Sequence, residues 1–394
     1  MIFRYILIIL LLGTQGYDSQ VDNTPYIQNL INQARKGSVI DGQNKTYYVT
    51  SLWLKSDIEL KNFVLYAIPT QESDVSVISI GNDLHTNKYN RSTEAQEAFV
   101  ASQTYPGIQN IVLDNIIIDG NRALQPALEV RDGGKHGISI KGFSNNITIK
   151  NVTARNCVTD GIALYRGLHT TLDRGVEVFA IRNIRIDNFQ AFNNRRHGGS
   201  GDSIENFRCT NSRFENNGLD VWGKFSGAKP AVFNGNVYGN GWIMEGYGLG
   251  SGIRNIIFDQ CSFISNAASG LLFYDVANSS DRNFIFRDKI KILNSTLDSG
   301  VQNPTGDFGL IFTSNIENKK NHMKLYNQVL VSNTTITGKI LLRSVQNVHL
   351  LDVNIITRDE THGLLDYADN VSYLFTTNKK TIFTWEHYNG KNIQ

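Results

Sequence analysis

Eight six-residue segments of this chain follow one template, and that recurrence restricts the fold more than any other feature. Asn110-Ile-Val-Leu-Asp-Asn115, Asn146-Ile-Thr-Ile-Lys-Asn151, Asn183-Ile-Arg-Ile-Asp-Asn188 and Asn206-Phe-Arg-Cys-Thr-Asn211 are the first four. Asn255-Ile-Ile-Phe-Asp-Gln260, Lys289-Ile-Lys-Ile-Leu-Asn294, Gln328-Val-Leu-Val-Ser-Asn333 and Asn347-Val-His-Leu-Leu-Asp352 complete the set. The apolar second and fourth positions describe a short strand with one buried face. The sixth position is Asn in six of the eight copies, so the turn that follows the strand is part of the repeat.

A unit this small cannot bury its apolar face alone, and stacked copies can; the pattern therefore predicts a solenoid. Short strands joined by tight turns, without helical spacers, make it a parallel β-helix with coils about 4.8 Å apart. Copies recur at steps of 19 to 49 residues, so the longer steps carry loops or span two coils. The recurring Asn is expected to form a hydrogen-bonded ladder and to adopt left-handed turn conformations. Composition agrees: 43 of 394 residues are Asn, against 34 Gly and 6 Pro. Three of the eight glycosylation sequons, at Asn151, Asn294 and Asn333, fall on ladder positions and read as structural.

Residues 1–16 have one Arg before the apolar run Tyr5 to Leu12, too short to span a bilayer at about 20 residues, and have signal-peptide form. An exported protein, secreted or periplasmic, without a membrane span is expected. Residues 17–36 read as an N-terminal cap, with Thr24-Pro25 opening a short helix over the first coil. The β-helix is placed at 37–357, and 358–394 is read as a C-terminal cap. Gln71 to Gly107, Gly167 to Ile181 and Val221 to Gly252 are read as inserted loops, which on a rigid scaffold tend to build the site. Cys157, Cys209 and Cys261 show no metal spacing and read as small buried hydrophobes, although an oxidising compartment leaves room for one disulfide.

Aligning the Asn-rich turns brings His136, Asp160, His197 and Asp220 into one column, with adjacent members about 5 Å apart. At that separation a carboxylate orients or charges an imidazole. The chain carries 38 Lys+Arg and 36 Asp+Glu, but the stretch from Asn121 to Pro230 carries 16 against 10. Lys135, Lys141, Arg155, Arg166, Arg174, Arg195 and Arg196 lie on or beside the column, and a cationic groove of that kind suits an extended anionic chain. Export and the lack of a recognised motif weigh against nucleic acid as that chain. Trp222, Tyr238, Trp242, Glu245 and Tyr247 are expected to form one wall of the groove, with Trp222 and Trp242 packing against sugar rings.

At these residues the chain resembles the secreted right-handed parallel β-helix superfamily of pectate lyases and polygalacturonase-like enzymes, over roughly Gly37 to Thr357. Tyr47-Tyr-Val-Thr-Ser-Leu-Trp-Leu-Lys-Ser-Asp-Ile-Glu-Leu60 is similar to its usual first coil. His136-Gly-Ile-Ser-Ile140 and Thr159-Asp-Gly-Ile162 resemble fragments of two polygalacturonase motifs, which places Asp160 in a catalytic carboxylate cluster. The fragments stand in the opposite order, and neither an Asp-Asp pair nor an Arg-Ile-Lys motif accompanies them. The resemblance implies an all-β, right-handed parallel β-helix enzyme, expected to be monomeric, that acts on a uronate-containing polysaccharide.

For β-elimination the expected roles are Arg196 or Lys141 neutralising the uronate, His197 or His136 as base and Tyr165 as proton donor. Asp160 would orient the base or help hold Ca²⁺, the one cofactor to test; no metal-ligand set is defined. Lys135, Arg166, Arg195, Asp220, Trp222 and Trp242 would bind substrate. Hydrolysis by Asp160 with a second Asp (Asp202 or Asp220), C5-epimerisation and non-catalytic glycan binding are the alternatives.

Overall fold

The computed structural model describes residues 21–70, 75–81, 107–125, 135–165, 181–219, 232–233, 236–237, 239–246, 252–275, 287–300, 308–314, 326–357, 361–366, 368–375 and 382–387. Their strands coil into a right-handed parallel β-helix. Among them, one sheet of 15 strands wraps two faces of the coil and a second sheet of 11 strands forms the third. Every template copy pairs in parallel with the next copy in sequence, as in Ile111↔Ile147, Ile147↔Ile184 and Ile184↔Phe207. Each step between copies is thus one coil, and the long steps are coils carrying insertions.

The template works because both of its ends are turns. The first and sixth residues of all eight copies have φ between 48° and 59°. That left-handed region costs most side chains about 1–2 kcal/mol and is tolerated best by Gly, Asn and Asp. The Asn amides then bond from coil to coil: Asn146 Nδ2 donates to Asn110 Oδ1 at 2.7 Å, and Asn255 donates to Asn206 at 2.9 Å. A second ladder follows the other turn, where Asn188 donates to Asn151 and Asn333 to Asn294 at 2.9 and 2.7 Å.

Between these turns the apolar positions point inward. Ile111, Leu113, Ile147, Ile149, Ile184 and Ile186 are all buried, and the stack continues through Phe207, Phe258 and Ile292. A third, interior ladder lies one position after a left-handed turn residue. Asn217, fully buried, donates to Asn266 Oδ1 at 2.9 Å and receives the amide of Asn194 at 3.0 Å.

The helix Thr24–Gln33 closes the first coil, with Ile27 and Ile31 buried against it. Its Gln28 side chain mimics a strand edge: Nε2 donates to Trp53 O at 2.9 Å and Oε1 accepts Trp53 N–H at 2.8 Å. Asn23 precedes the helix without capping it, because its Oδ1 accepts Tyr48 N–H at 2.9 Å instead.

Two boundaries differ from the sequence expectation. Ile78–Ile80 and Trp242–Gly246, placed in loops by their surroundings, are strands of the 11-stranded sheet. Beyond Thr357 the strands Thr361–Asp366, Asp369–Phe375 and Ile382–His387 prolong both sheets, with Val371 and Ala368 buried as core. The described part of the C-terminal segment is therefore coil. The candidate signal peptide at 1–16 lies outside the described residues, and none of the described helices is long and apolar enough to cross a membrane.

Candidate active site

The column exists, with one substitution. On the 11-stranded sheet Ile138 pairs with Ile162, Ile162 with Gly199, and Gly199 with Trp242. Backbone bonds run Gly137 N to Asp160 O, Gly161 N to His197 O, Gly198 N to Asn240 O and Gly241 N to Ser269 O. The stacked residues are thus His136, Asp160, His197, Asn240 and Ser269. Asn240 takes the place expected for Asp220, because the insertion after Gly218 displaces the register by some twenty residues. Asp220 itself, with Arg166, Arg174, Trp222, Tyr238 and Tyr247, lies outside the described residues. The signal that finds the true column is the Gly that follows every member, since a Cβ there would meet the neighbouring coil's backbone within 2.6 to 3.1 Å.

Asp160 is the hub and is fully buried. Arg196 grips it side-on, Nε to Oδ1 at 2.8 Å and Nη2 to Oδ2 at 2.7 Å. Ser200 Oγ donates to Oδ2 at 2.6 Å and His197 N–H to Oδ1 at 3.0 Å. His136 Nδ1 stands 3.4 Å from Oδ2, beside the Thr159 hydroxyl at 2.9 Å. Burial opposes charge on Asp160, yet the Arg196 guanidinium and hydrogen bonds from His136 and Arg196 hold its carboxyl well below the usual carboxylate range.

Tyr165 completes the cluster. Its hydroxyl receives Arg196 Nη2 at 2.7 Å, lies 2.9 Å from Ser200 Oγ and 3.4 Å from Asp160 Oδ2. Burial pushes that hydroxyl up, against the pull of the Arg196 charge, so it is protonated at neutral pH. Burial likewise lowers both imidazoles against the Asp160 charge, His197 to about 3. The two rings nevertheless meet different neighbours. Each Nδ1 receives a backbone N–H, Asp160 N–H at 3.4 Å for His136 and Asn240 N–H at 3.1 Å for His197, but only His136 Nδ1 also faces a carboxylate, at 3.4 Å, and a hydroxyl, at 2.9 Å.

The remaining expected residues separate. Lys141 is buried and pairs in register with Tyr165. Lys135 is buried and donates to Thr70 O and to Gln125 Oε1, in the wall of a small pocket that also takes in His136. Arg195 sits at the turn, its backbone N–H bonded to Cys157 O at 3.0 Å. Trp242 is corrected: it is fully buried and packs on Phe207, Phe214 and Phe258 with centroids 5.2 to 5.6 Å apart. Gly199 makes the space, because a Cβ there would lie 2.1 Å from the indole. An inward indole offers no face to a sugar.

Part of the cationic excess is met by acids on adjacent coils. Arg155 pairs with Asp119 at 2.9 Å, Lys150 with Asp114 at 3.1 Å and Arg182 with Glu205 at 3.2 Å. No group of three or more His, Cys, Asp or Glu side chains among the described residues has the arrangement to hold a metal ion.

No protein-family model and no curated protein matches the chain. Among solved structures it resembles the N-terminal fragment of bacteriophage phi29 gene product 12, with 14% identity and a TM-score of 0.57 over 90% of this chain and 55% of that one. The pre-mature form of the same gene product gives 14% identity and a TM-score of 0.52 over 90% and 50%. This chain thus spans about half the length of those two proteins. The fold is that of the right-handed parallel β-helix proteins. A family 28 exopolygalacturonase of Yersinia enterocolitica also aligns, at 14% identity and a TM-score of 0.42 over 90% of this chain and 76% of that one.

Proposed function

We propose that this β-helix protein is an exported enzyme that acts on a uronate-containing polysaccharide and cleaves it by β-elimination at the Asp160 cluster. One observation carries the reading: a protonated tyrosine hydroxyl and a neutral imidazole, their rings 5.8 Å apart, are held at the same oxygen of one buried, ionised carboxylate. Elimination from a uronate needs such a pair, a base for the proton alpha to the carboxylate and an acid for the departing oxygen.

His136 is the base. The ionised Asp160 carboxylate, 3.4 Å from Nδ1, favours the Nδ1–H tautomer over the Asp160 N–H that reaches the same atom at 3.4 Å; Nε2 then carries the lone pair, and the carboxylate stabilises the imidazolium that forms. As the C5 proton passes to Nε2, the electron pair becomes the C4–C5 double bond and the C4–O bond breaks. The leaving oxygen takes the Tyr165 proton. Arg196 is engaged with Asp160 and Tyr165, which makes it a positioning residue. Neutralisation of the uronate then falls to Lys141, in register beside Tyr165.

Hydrolysis has its own support in Asp202 and Glu245, two acids that stand in register on neighbouring strands. Asp160, held ionised, is unsuited to be the acid of that reaction. Incubation with pectin, alginate and glycosaminoglycans separates the readings. Chain shortening with the ultraviolet absorbance of an unsaturated uronate is expected. Shortening without that absorbance overturns elimination in favour of hydrolysis, and retention without shortening overturns catalysis in favour of glycan binding.

A further inference from the structure

The column continues past His197, and its last two members face that ring. Asn240 and Ser269 are both buried, on the next two coils. Asn240 N–H points at His197 Nδ1 at 3.1 Å, and a backbone N–H can only donate. The nitrogen that receives it is therefore bare, and a neutral ring carries its proton on Nε2. The side chain reinforces this. Asn240 Oδ1 is taken by two donors from Ser269, Oγ at 2.6 Å and N–H at 3.2 Å. The amide is thereby fixed with its NH₂ toward the imidazole, 3.3 Å from the same Nδ1.

We infer that Asn240 and Ser269 are positioning residues that hold His197 as the Nε2–H tautomer, a neutral hydrogen-bond donor. The chemical meaning of this rests on the elimination reading. A stacked His–Asp–His–Asn–Ser column gives its two histidines opposite duties. At His136 the Asp160 N–H also reaches Nδ1, at 3.4 Å, but the ionised Asp160 carboxylate at the same distance favours a proton there and leaves a basic Nε2. The amide beside His197 does the reverse and leaves that ring a neutral N–H donor, the kind of group that can meet charge developing on a uronate carboxylate as its alpha proton departs. Preorganised neutral donors of this type stabilise such charge without needing to titrate. Burial supports the assignment by keeping His197 uncharged down to about pH 3.

The test needs no substrate, so it stands or falls separately from the elimination assay. Selective ¹⁵N labelling of histidine in the full chain, with His197 assigned by the loss of its signals in His197→Gln, reads the tautomer from the ring nitrogen shifts. A bare Nδ1 and protonated Nε2 at neutral pH are expected; a protonated Nδ1 overturns the proposal. In Asn240→Asp the side chain becomes an acceptor. His197 should then gain a proton on Nδ1 and titrate in the ordinary histidine range instead of near 3. An unchanged tautomer and unchanged titration in that variant would show that the backbone alone sets the ring, and the role of the two side chains would be lost. Ser269→Ala frees the amide to turn and should give a mixture of tautomers, a signature that a purely space-filling Ser269 would not produce.

Discussion

Arg196 and Asp160 meet as a two-toothed pair inside the protein, with contacts of 2.8 and 2.7 Å and the carboxylate wholly removed from water. Taking away one partner strands the other charge. Buried pairs broken in this way typically lose about 3–5 kcal/mol. Arg196→Met should therefore lower stability by roughly that amount, read from the denaturant midpoint. Asp160→Asn, which still accepts one guanidinium bond, should lose less. If Arg196→Met is as stable as the parent, the pair is not closed in solution.

The same cluster fixes the acid response. The folded-state values of His136 and His197 lie below those of free histidine, and that of Asp160 lies below free aspartate. In each case the unfolded chain binds more protons between the two values, so stability falls as pH falls. The histidine contribution is complete above about pH 6.5 and is lost as pH drops through His197's value of about 3. Asp160 adds its loss below about pH 4. The free energy of unfolding, read from denaturant midpoints across pH, should start to decline near pH 6.5, by an amount of the order of a few kcal/mol at acid pH. The double variant His136→Gln, His197→Gln should flatten the upper part of that decline and leave the Asp160 part.

Much of this architecture was legible because its rule is local. A left-handed turn residue must be one of few types, and two such turns bracket each four-residue strand, so Asn110/Asn115 and their counterparts expose the coil directly. The pairing of His136 with Asp160 and His197 followed from counting coils. The step to Asn240 did not, because the insertion after Gly218 breaks the count, and only the trailing Gly241 preserves the register. Trp242 was misplaced for a related reason. The residues before it, Gly239-Asn240-Gly241, read as a loop, while the space it fills is opened by Gly199 on another coil. Ion pairs in the basic middle, such as Arg155 with Asp119, link residues a full coil apart and leave no sequence pattern.

The interior and exterior asparagines should differ sharply in their tolerance. Asn217 is buried and links Asn194 above to Asn266 below. Asn217→Ala removes the acceptor of Asn194 N–H and one partner each from Asn194 Nδ2 and Asn266 Oδ1, at about 1–3 kcal/mol for a buried group so stranded. Asn188 is at the surface with φ 51° and a single amide bond to Asn151. Asn188→Gly keeps the turn conformation and should change stability by under about 1 kcal/mol, whereas Asn188→Val meets the left-handed penalty of about 1–2 kcal/mol. Equal losses for Asn217→Ala and Asn188→Gly would contradict the interior ladder.

Cys157, Cys209 and Cys261 are buried and unpaired, with 3.9 Å between the sulfurs of Cys209 and Cys261. Burial pushes the thiols of Cys157 and Cys209 up, away from the reactive thiolate. A thiol reagent should find nothing to label in the folded protein and three groups after denaturation without reductant. Recovery of one group would place a disulfide between two of them.

Substitutions around Asp160 should sort by kinetic signature. Tyr165→Phe keeps the ring and its 5.8 Å approach to His136 but removes the proton destined for the leaving oxygen. Acid–base groups of this type contribute about 10²–10⁴-fold, so kcat should fall by that factor with KM little changed. His136→Gln should fall similarly, and the alkaline exchange of the uronate C5 proton with solvent should vanish with it. Lys141→Met, which removes the cation beside Tyr165, should act on uronate binding and raise KM more than it lowers kcat. Initial rates of unsaturated-product absorbance on the best substrate measure all three. A Tyr165→Phe variant that keeps full kcat would move the acid to another group, with the Asp202–Glu245 pair the next place to look.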